Sequence, residues 1–274
     1  MSKIEGQVAV SKILNQLLDM TQSTERQYHA NGAAHVSAPL ELSASKAISS
    51  NCWEVQQLGL HQSGLFLLRL GRGLRPALAY CDHETDGGGW TVIQQRLPAE
   101  PQLDFFLGWE AYKWGFGDLE HEFWLGNENI HLLTTSDKFE LRVELEGHDG
   151  THRYAHYERF VVAAEQDQYR VRVFGYSGDA GDSLDIGGAA FTTKDRDNDQ
   201  LADGNCASLL HGGWWYSRCG NANLNGGYLD AQPDSQDSGV FWAAWTGYRH
   251  SLKSVRMMVR PASYYATRKT ANRS

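Results

Sequence analysis

The hydrophobic positions of this chain alternate with polar ones in several short runs. Phe139-Glu-Leu-Arg-Val-Glu-Leu145 switches between apolar and charged at each step, Tyr169-Arg-Val-Arg-Val173 does the same, and Val255-Arg-Met-Met-Val259 is a third β-rich run. A period of two places every second side chain on one face of a sheet, so these segments predict strands. Helical periodicity is scarcer, with Trp109 to Trp114 and Asn129 to Leu133 as the best candidates in the body. Glycine-rich connectors such as Asp86-Gly-Gly-Gly-Trp90 and Gly175 to Gly188 lie between the runs. The expectation is an α+β domain on a mainly antiparallel sheet, with a loop-rich C-terminal third and no internal repeat.

Ahead of this body the pattern differs. Within residues 1–24, Val10, Ile13, Leu17 and Met20 recur at alternating spacings of three and four, which predicts a short amphipathic helix. Such a helix is marginal alone, so its stripe must pack either on the body or on sister helices in a short coiled coil, a route to a homo-oligomer. Residues 25–50 turn to Ser, Ala, Asn, Gly and His without periodicity and read as a linker. The body is expected at 51–262, followed by a frayed cationic tail at 263–274.

Charge and composition narrow the possible partners. With 25 Lys and Arg against 33 Asp and Glu, the formal charge of −8 gives no general field toward phosphate backbones or anionic lipid, so nucleic acid is excluded as a partner. No apolar stretch approaches the length of a membrane span; Gly64 to Leu70 runs out at once, and no membrane insertion is expected. The 274 residues suffice for a substantial core without covalent staples. Yet there are four cysteines, Cys52, Cys81, Cys206 and Cys219, with no C-x-x-C pair, which argues for two disulfides over a zinc site and for an oxidising compartment. The first residues show no signal-peptide pattern, so either the true N-terminus lies outside this sequence, which is the preferred reading, or the export inference is wrong.

Enzyme signatures fail. There is no G-x-S-x-G elbow, H-E-x-x-H, P-loop or G-x-G-x-x-G, and the eleven histidines are scattered. The informative stretch is Thr193-Lys-Asp-Arg-Asp-Asn-Asp-Gln-Leu-Ala-Asp-Gly-Asn-Cys206, where Asp195, Asp197 and Asp199 alternate. Carboxylates so crowded repel one another unless a cation neutralises them, and hard oxygen donors at this density suit calcium; the alternative is a solvated acidic turn. It is not an EF-hand, since Gln200 stands at the required glycine and Cys206 at the bidentate glutamate. Beyond it, Trp214, Trp215 and Tyr216, then Gly220-Asn-Ala-Asn-Leu-Asn-Gly-Gly-Tyr228, could wall an aromatic pocket or fill a core beneath a rigid loop; for the two tryptophans the core is the preferred reading.

These motifs resemble a family. Cys81-Asp-His-Glu-Thr-Asp-Gly-Gly-Gly-Trp-Thr-Val-Ile-Gln-Gln-Arg96 is similar to the opening of the fibrinogen C-terminal domain. The likeness continues through Trp109-Glu-Ala-Tyr-Lys-Trp-Gly-Phe-Gly-Asp118, Glu122-Phe-Trp-Leu-Gly126, Gly178-Asp-Ala-Gly-Asp-Ser-Leu184, the aspartate loop, Gly212-Gly-Trp-Trp-Tyr216, Asn223-Leu-Asn-Gly226 and Arg260-Pro261. It spans about residues 52 to 262 in order.

The resemblance implies disulfides Cys52–Cys81 and Cys206–Cys219, extracellular residence, one calcium ion and a binding rather than catalytic role. It implies carboxylate ligands from Asp197 and Asp199. Asp199 and Cys206 stand one residue further apart than the family pattern, so the main-chain donors are Leu201 and Asp203 counting forward, or Ala202 and Gly204 counting back; the first pair is preferred. A ligand pocket is implied beside this loop at Tyr216, Arg218, Cys219, Gly220, Asp237 and Tyr248, with a cis bond at Arg218–Cys219. Gly220 replaces the histidine of many sugar-binding members, and Gln236 and Asp237 depart from the acetyl-binding pattern. Cys219-Gly220 and the run Ser251 to Pro261 look instead like the angiopoietin and angiopoietin-like branches. The leading expectation is therefore a secreted calcium-binding module for a cell-surface receptor or other protein. The alternative is an innate-immune lectin of tachylectin or ficolin type, binding N-acetylated glycans.

Overall fold

The computed structural model of the 274-residue chain describes residues 48–71, 76–184, 187–229 and 239–262. The expected helix at 1–24, most of the 25–50 linker, the tail at 263–274, and Gln236 and Asp237 lie outside the described residues.

The body opens with α1 (Cys52–Gln57), capped by Asn51, whose side-chain oxygen accepts from the Glu54 amide. The Ser49 carbonyl already accepts from the Arg69 amide, so the folded region reaches upstream of residue 51. Strands β1 (Gly64–Leu68), β2 (Ala77–Asp82) and β3 (Trp90–Arg96) follow as an antiparallel meander. Next come α2 (Trp109–Trp114), the short strands β4 (Phe116–Gly117) and β5 (Phe123–Trp124), and α3 (Asn127–Ser136). Gly126 begins α3 at φ 102°, against the Trp114 main chain, where a side chain would collide.

The long strands β6 (Phe139–Glu146), β7 (His152–Val162) and β8 (Val171–Gly178) form a second meander. Among the described residues, the stretch between β8 and the last strand carries only fragments: β9 (Phe191–Thr192), α4 (Cys206–Leu209), β10 (Trp214–Trp215), β11 (Ala222–Asn223), β12 (Phe241–Trp242) and α5 (Ala243–Thr246). Finally β13 (Ser254–Pro261) inserts between β3 and β6, giving the order β1-β2-β3-β13-β6-β7-β8. The last strand thus joins the two meanders, and each pairing named is antiparallel. This is the expected α+β architecture. The strands expected at 139–145 and 255–259 appear nearly as read, and the helix at 109–114 as read. The run at 169–173 is different: Tyr169 takes φ 47° ahead of the strand, which begins at Val171 and continues to Gly178.

An aromatic core sits between the sheet and the C-terminal loops. The Phe191 ring lies 5.2 Å from Tyr112, 5.8 Å from Trp124 and 5.3 Å from Trp215. Trp214, Trp215 and Tyr216 are each only 1% exposed, so the tryptophans take the core reading. Arg96 and Glu122 form a buried pair at 3.1 Å, and Arg260 pairs with Glu140 at 2.7 Å, each guanidinium also bonded to main-chain carbonyls. A buried charge is tolerated only with this degree of compensation. Among the described residues no helix is long and apolar enough to cross a membrane.

Candidate calcium and ligand site

The three alternating aspartates do different work. Asp195 accepts from the Trp109 amide at 2.8 Å and from the Thr193 hydroxyl at 2.7 Å, and it fills the space beside Gly108. It fastens the aspartate loop to the start of α2, and its carboxylate is already supplied with donors. Burial works to raise its pKa, but the bonds from Thr193 and Trp109 prevail and hold it below the usual range.

Asp197 and Asp199 remain together. Among the described residues Asp197 accepts from the Asp199 amide alone, at 3.1 Å. Asp199 accepts from the Leu201 amide at 2.8 Å through one oxygen and from the Cys206 amide at 2.8 Å through the other. Burial, joined by the charge of Asp197, keeps the Asp199 carboxyl above its ordinary range despite those two N–H donors. Two like-charged carboxylates side by side in one loop are the kind of hard oxygen donors that a divalent cation takes. Among the described residues no group of three or more His, Cys, Asp or Glu side chains could hold a metal, so any such site relies on main-chain carbonyls. Leu201 is half-buried against the core, while Asp203 is exposed.

The loop is tied to the next segment at two points. The Gln200 amide donates to the Ser217 carbonyl at 2.7 Å, and Cys206 is bridged to Cys219, whose amide also donates to the Cys206 sulfur at 2.9 Å. Cys52 and Cys81 form the other disulfide, and no described cysteine is free. Neither 217 nor 219 can move without the aspartate loop.

Two pocket expectations need correction. The Arg218–Cys219 bond is not cis; among the described residues only Glu100–Pro101 is. The chain reverses here instead through positive φ, 56° at Cys219 and 127° at Gly220, with a bridge between Ser217 and Cys219. Tyr216 does not line a surface: its hydroxyl donates inside the core, to Gly212 O and Asn223 Oδ1. With a ring buried to this extent, its phenol is pushed well above the ordinary value. What remains exposed is Arg218, Asn221 and Tyr248, the last 49% exposed, with Cys219 and Gly220 half-buried between them. Tyr248 is fixed, because its hydroxyl donates to Asn221 Oδ1 at 2.8 Å and its ring packs on Phe241 at 5.5 Å.

Asn221 was missed by sequence reasoning. It both anchors Tyr248 and offers its carbonyl to the Ala243 amide at 2.8 Å, joining the loop after Cys219 to α5. The only hint was the density of amides in Gly220-Asn-Ala-Asn. Gln200 escaped too, because it acts through its main-chain amide and carries no side-chain signal.

Fold and site together define a disulfide-bridged α+β globe whose C-terminal loops gather two carboxylates, a left-handed cysteine and an anchored tyrosine on one surface. A sequence profile described as the C-terminal globular domain of fibrinogen beta and gamma chains matches residues 48–262. The chain belongs to this fibrinogen C-terminal domain family. It is 39% identical to mouse (Mus musculus) fibrinogen C domain-containing protein 1 over 273 residues, 94% of this chain and 59% of that protein. It therefore spans a little over half of that relative's length. Human (Homo sapiens) ficolin-3 is 44% identical over 212 residues, covering 77% of this chain and 70% of ficolin-3. Among solved structures, the fibrinogen-like globe domain of human ANGPTL2 superposes with a TM-score of 0.75 at 40% identity, over 78% of this chain and 99% of that one.

Proposed function

We propose that this chain is a secreted, calcium-stabilised recognition module that binds a cell-surface receptor or other protein through Arg218, Cys219, Gly220, Asn221 and Tyr248. In this reading Asp197 and Asp199, with carbonyls of Leu201 and Asp203, hold the ion. The observation that carries the proposal is the coupling of loop to surface: the Gln200–Ser217 hydrogen bond and the Cys206–Cys219 bridge make one unit of the proposed cation ligands and the half-buried reversal that presents Arg218. Neutralising the two carboxylates would fix the positions of Ser217 to Gly220, and so the shape offered to a ligand. The two disulfides support an extracellular setting.

A lectin reading is favoured by the identity to ficolin-3. Its motif support is weaker than the sequence suggested. The shared segments Gly212 to Tyr216 and Asn223 to Asn225 are buried, so their likeness is one of core packing. At Gly220 there is nothing within 4 Å of where a side chain would stand, which leaves that shoulder open.

An array of N-acetylated glycans probed in millimolar calcium separates the readings. The protein-ligand proposal expects no tight binding. Calcium-dependent capture of acetylated sugars, abolished by Tyr248→Ala, would replace it with the lectin reading.

A further inference from the structure

An aspartyl or asparaginyl residue followed by glycine can rearrange without an enzyme. The glycine amide nitrogen attacks the side-chain carbonyl carbon, forming a cyclic imide, and water leaves from the aspartic acid, or ammonia from asparagine. Hydrolysis adds one water at either imide carbonyl, returning aspartate or giving isoaspartate, in which the main chain runs through the former side chain. For aspartate, water lost and water gained balance, and no further reactant is needed. The reaction requires a side chain free to fold back, an amide nitrogen not already engaged, and room for the ring.

Four such steps fall among the described residues, and the fold treats them differently. At Asp86–Gly87 the carboxylate lies 3.6 Å from Arg260 Nη2 and 3.9 Å from Arg142 Nη1, which hold it off its own main chain. At Asp149–Gly150 both carboxylate oxygens are taken, by the Thr151 amide at 2.9 Å and hydroxyl at 2.8 Å, and the Gly150 amide donates to Gly147 O at 3.0 Å. At Asn225–Gly226 the side chain is fully buried, donating to Gly213 O and accepting from Gln94 Nε2. Asp203–Gly204 alone is unguarded. Asp203 is exposed, among the described residues its carboxylate has no hydrogen bond or ion pair, and the Gly204 amide has no acceptor.

We propose that Asp203–Gly204 is a modification site at which this protein isomerises spontaneously to isoaspartate. The position gives the change a consequence. The loop is pinned at Asp199 by the Cys206 amide, at Gln200 by Ser217 and at Cys206 by its disulfide. A β-linkage adds one methylene to the main chain between these pins and displaces the carbonyl of residue 203. The isomerisation itself does not depend on a cation being bound there.

The test ages the purified full chain in calcium-free buffer at neutral pH and physiological temperature. Reduced tryptic peptides are then assayed for isoaspartate by protein isoaspartyl methyltransferase labelling and by electron-transfer fragmentation. Isoaspartate at 203 should exceed that at 86, 149 and 225 combined. Gly204→Ala is the control: an added Cβ meets Leu201 Cδ2 at 3.2 Å and otherwise makes only ordinary contacts, so the fold accepts it while the methyl obstructs ring closure. It should bring residue 203 down to the level measured at Asp149, with an unchanged circular dichroism spectrum. Equal or greater isoaspartate at Asp86 or Asp149, or no slowing in Gly204→Ala, would overturn the proposal.

Discussion

The two disulfide-bearing regions both place an aspartate beside a bridge, yet they solve the problem of its charge in opposite ways. Asp82, next to Cys81, is 2% exposed and accepts from the Glu84 amide at 2.9 Å, the Thr85 amide and hydroxyl at 2.8 Å each, and Arg256 Nη1 at 2.9 Å. Burial alone would raise its carboxyl, but these donors outweigh it and hold the group below its ordinary range. Asp199, beside the Cys206 bridge, has among the described residues two amide donors and no cationic side chain, so burial, joined by the like charge of Asp197, shifts its carboxyl upward. One region neutralises its own charge; among the described residues the other does not. The difference separates an aspartate whose charge is met by folded-state donors from one whose charge is not, more clearly than local composition does.

The largest effect should come from breaking the self-sufficient side. Asp82→Ala removes four hydrogen bonds and leaves Arg256 without its carboxylate, so it should cost about 3 kcal/mol of unfolding free energy, since breaking a largely buried pair typically costs that much or more. Denaturant titration should find the loss equal with and without calcium. A calcium-dependent loss would erase the contrast between the two regions.

On the other side, calcium present at one hundred times its dissociation constant should stabilise the chain by about 2.7 kcal/mol, the linkage expected of a ligand that binds only the folded state. Thermal unfolding should show this gain in the parent chain and not in the Asp197→Asn, Asp199→Asn double variant. Equal stabilisation of both would place the cation elsewhere.

The smallest effect is the sign of the pH dependence. Asp82, with its pKa depressed by folding, contributes stability that is present above the unfolded carboxylate range and lost as pH falls through its lowered value. Asp199 is raised, so without calcium its contribution is complete below the unfolded value and lost as pH rises through the raised one. In calcium-free buffer Asp199→Asn should remove that loss, making stability climb more steeply with pH than in the parent chain. An unchanged slope would show that Asp199 carries no uncompensated charge.

Much of this was legible in advance. The alternation at Phe139 to Leu145 gave a strand because one face of the sheet is buried, and that burial imposes a period of two. The Cys and Gly-Gly-Trp spacings carried the family and, through it, both bridges. The aspartate run was legible as a candidate site but not as a division of labour, because Asp195 is claimed by the Trp109 amide, 86 residues away in sequence. Tyr216 read as a pocket wall, yet it is buried against Gly212 and Asn223. The buried set Arg260, Glu140 and His156 gave no local sign, since its members sit on three strands that only pairing brings side by side.

By itself, then, the sequence determined the periodicities, the family and the crowding of three aspartates into one short loop, because these depend on side-chain type and on neighbours a few positions apart. Tertiary structure decided which aspartates stay available, that the reversal at Cys219 uses positive φ rather than a cis bond, and that Asn221 holds Tyr248 in place. Those outcomes depend on which donor from a distant segment reaches each group first, and chain folding alone sets those distances.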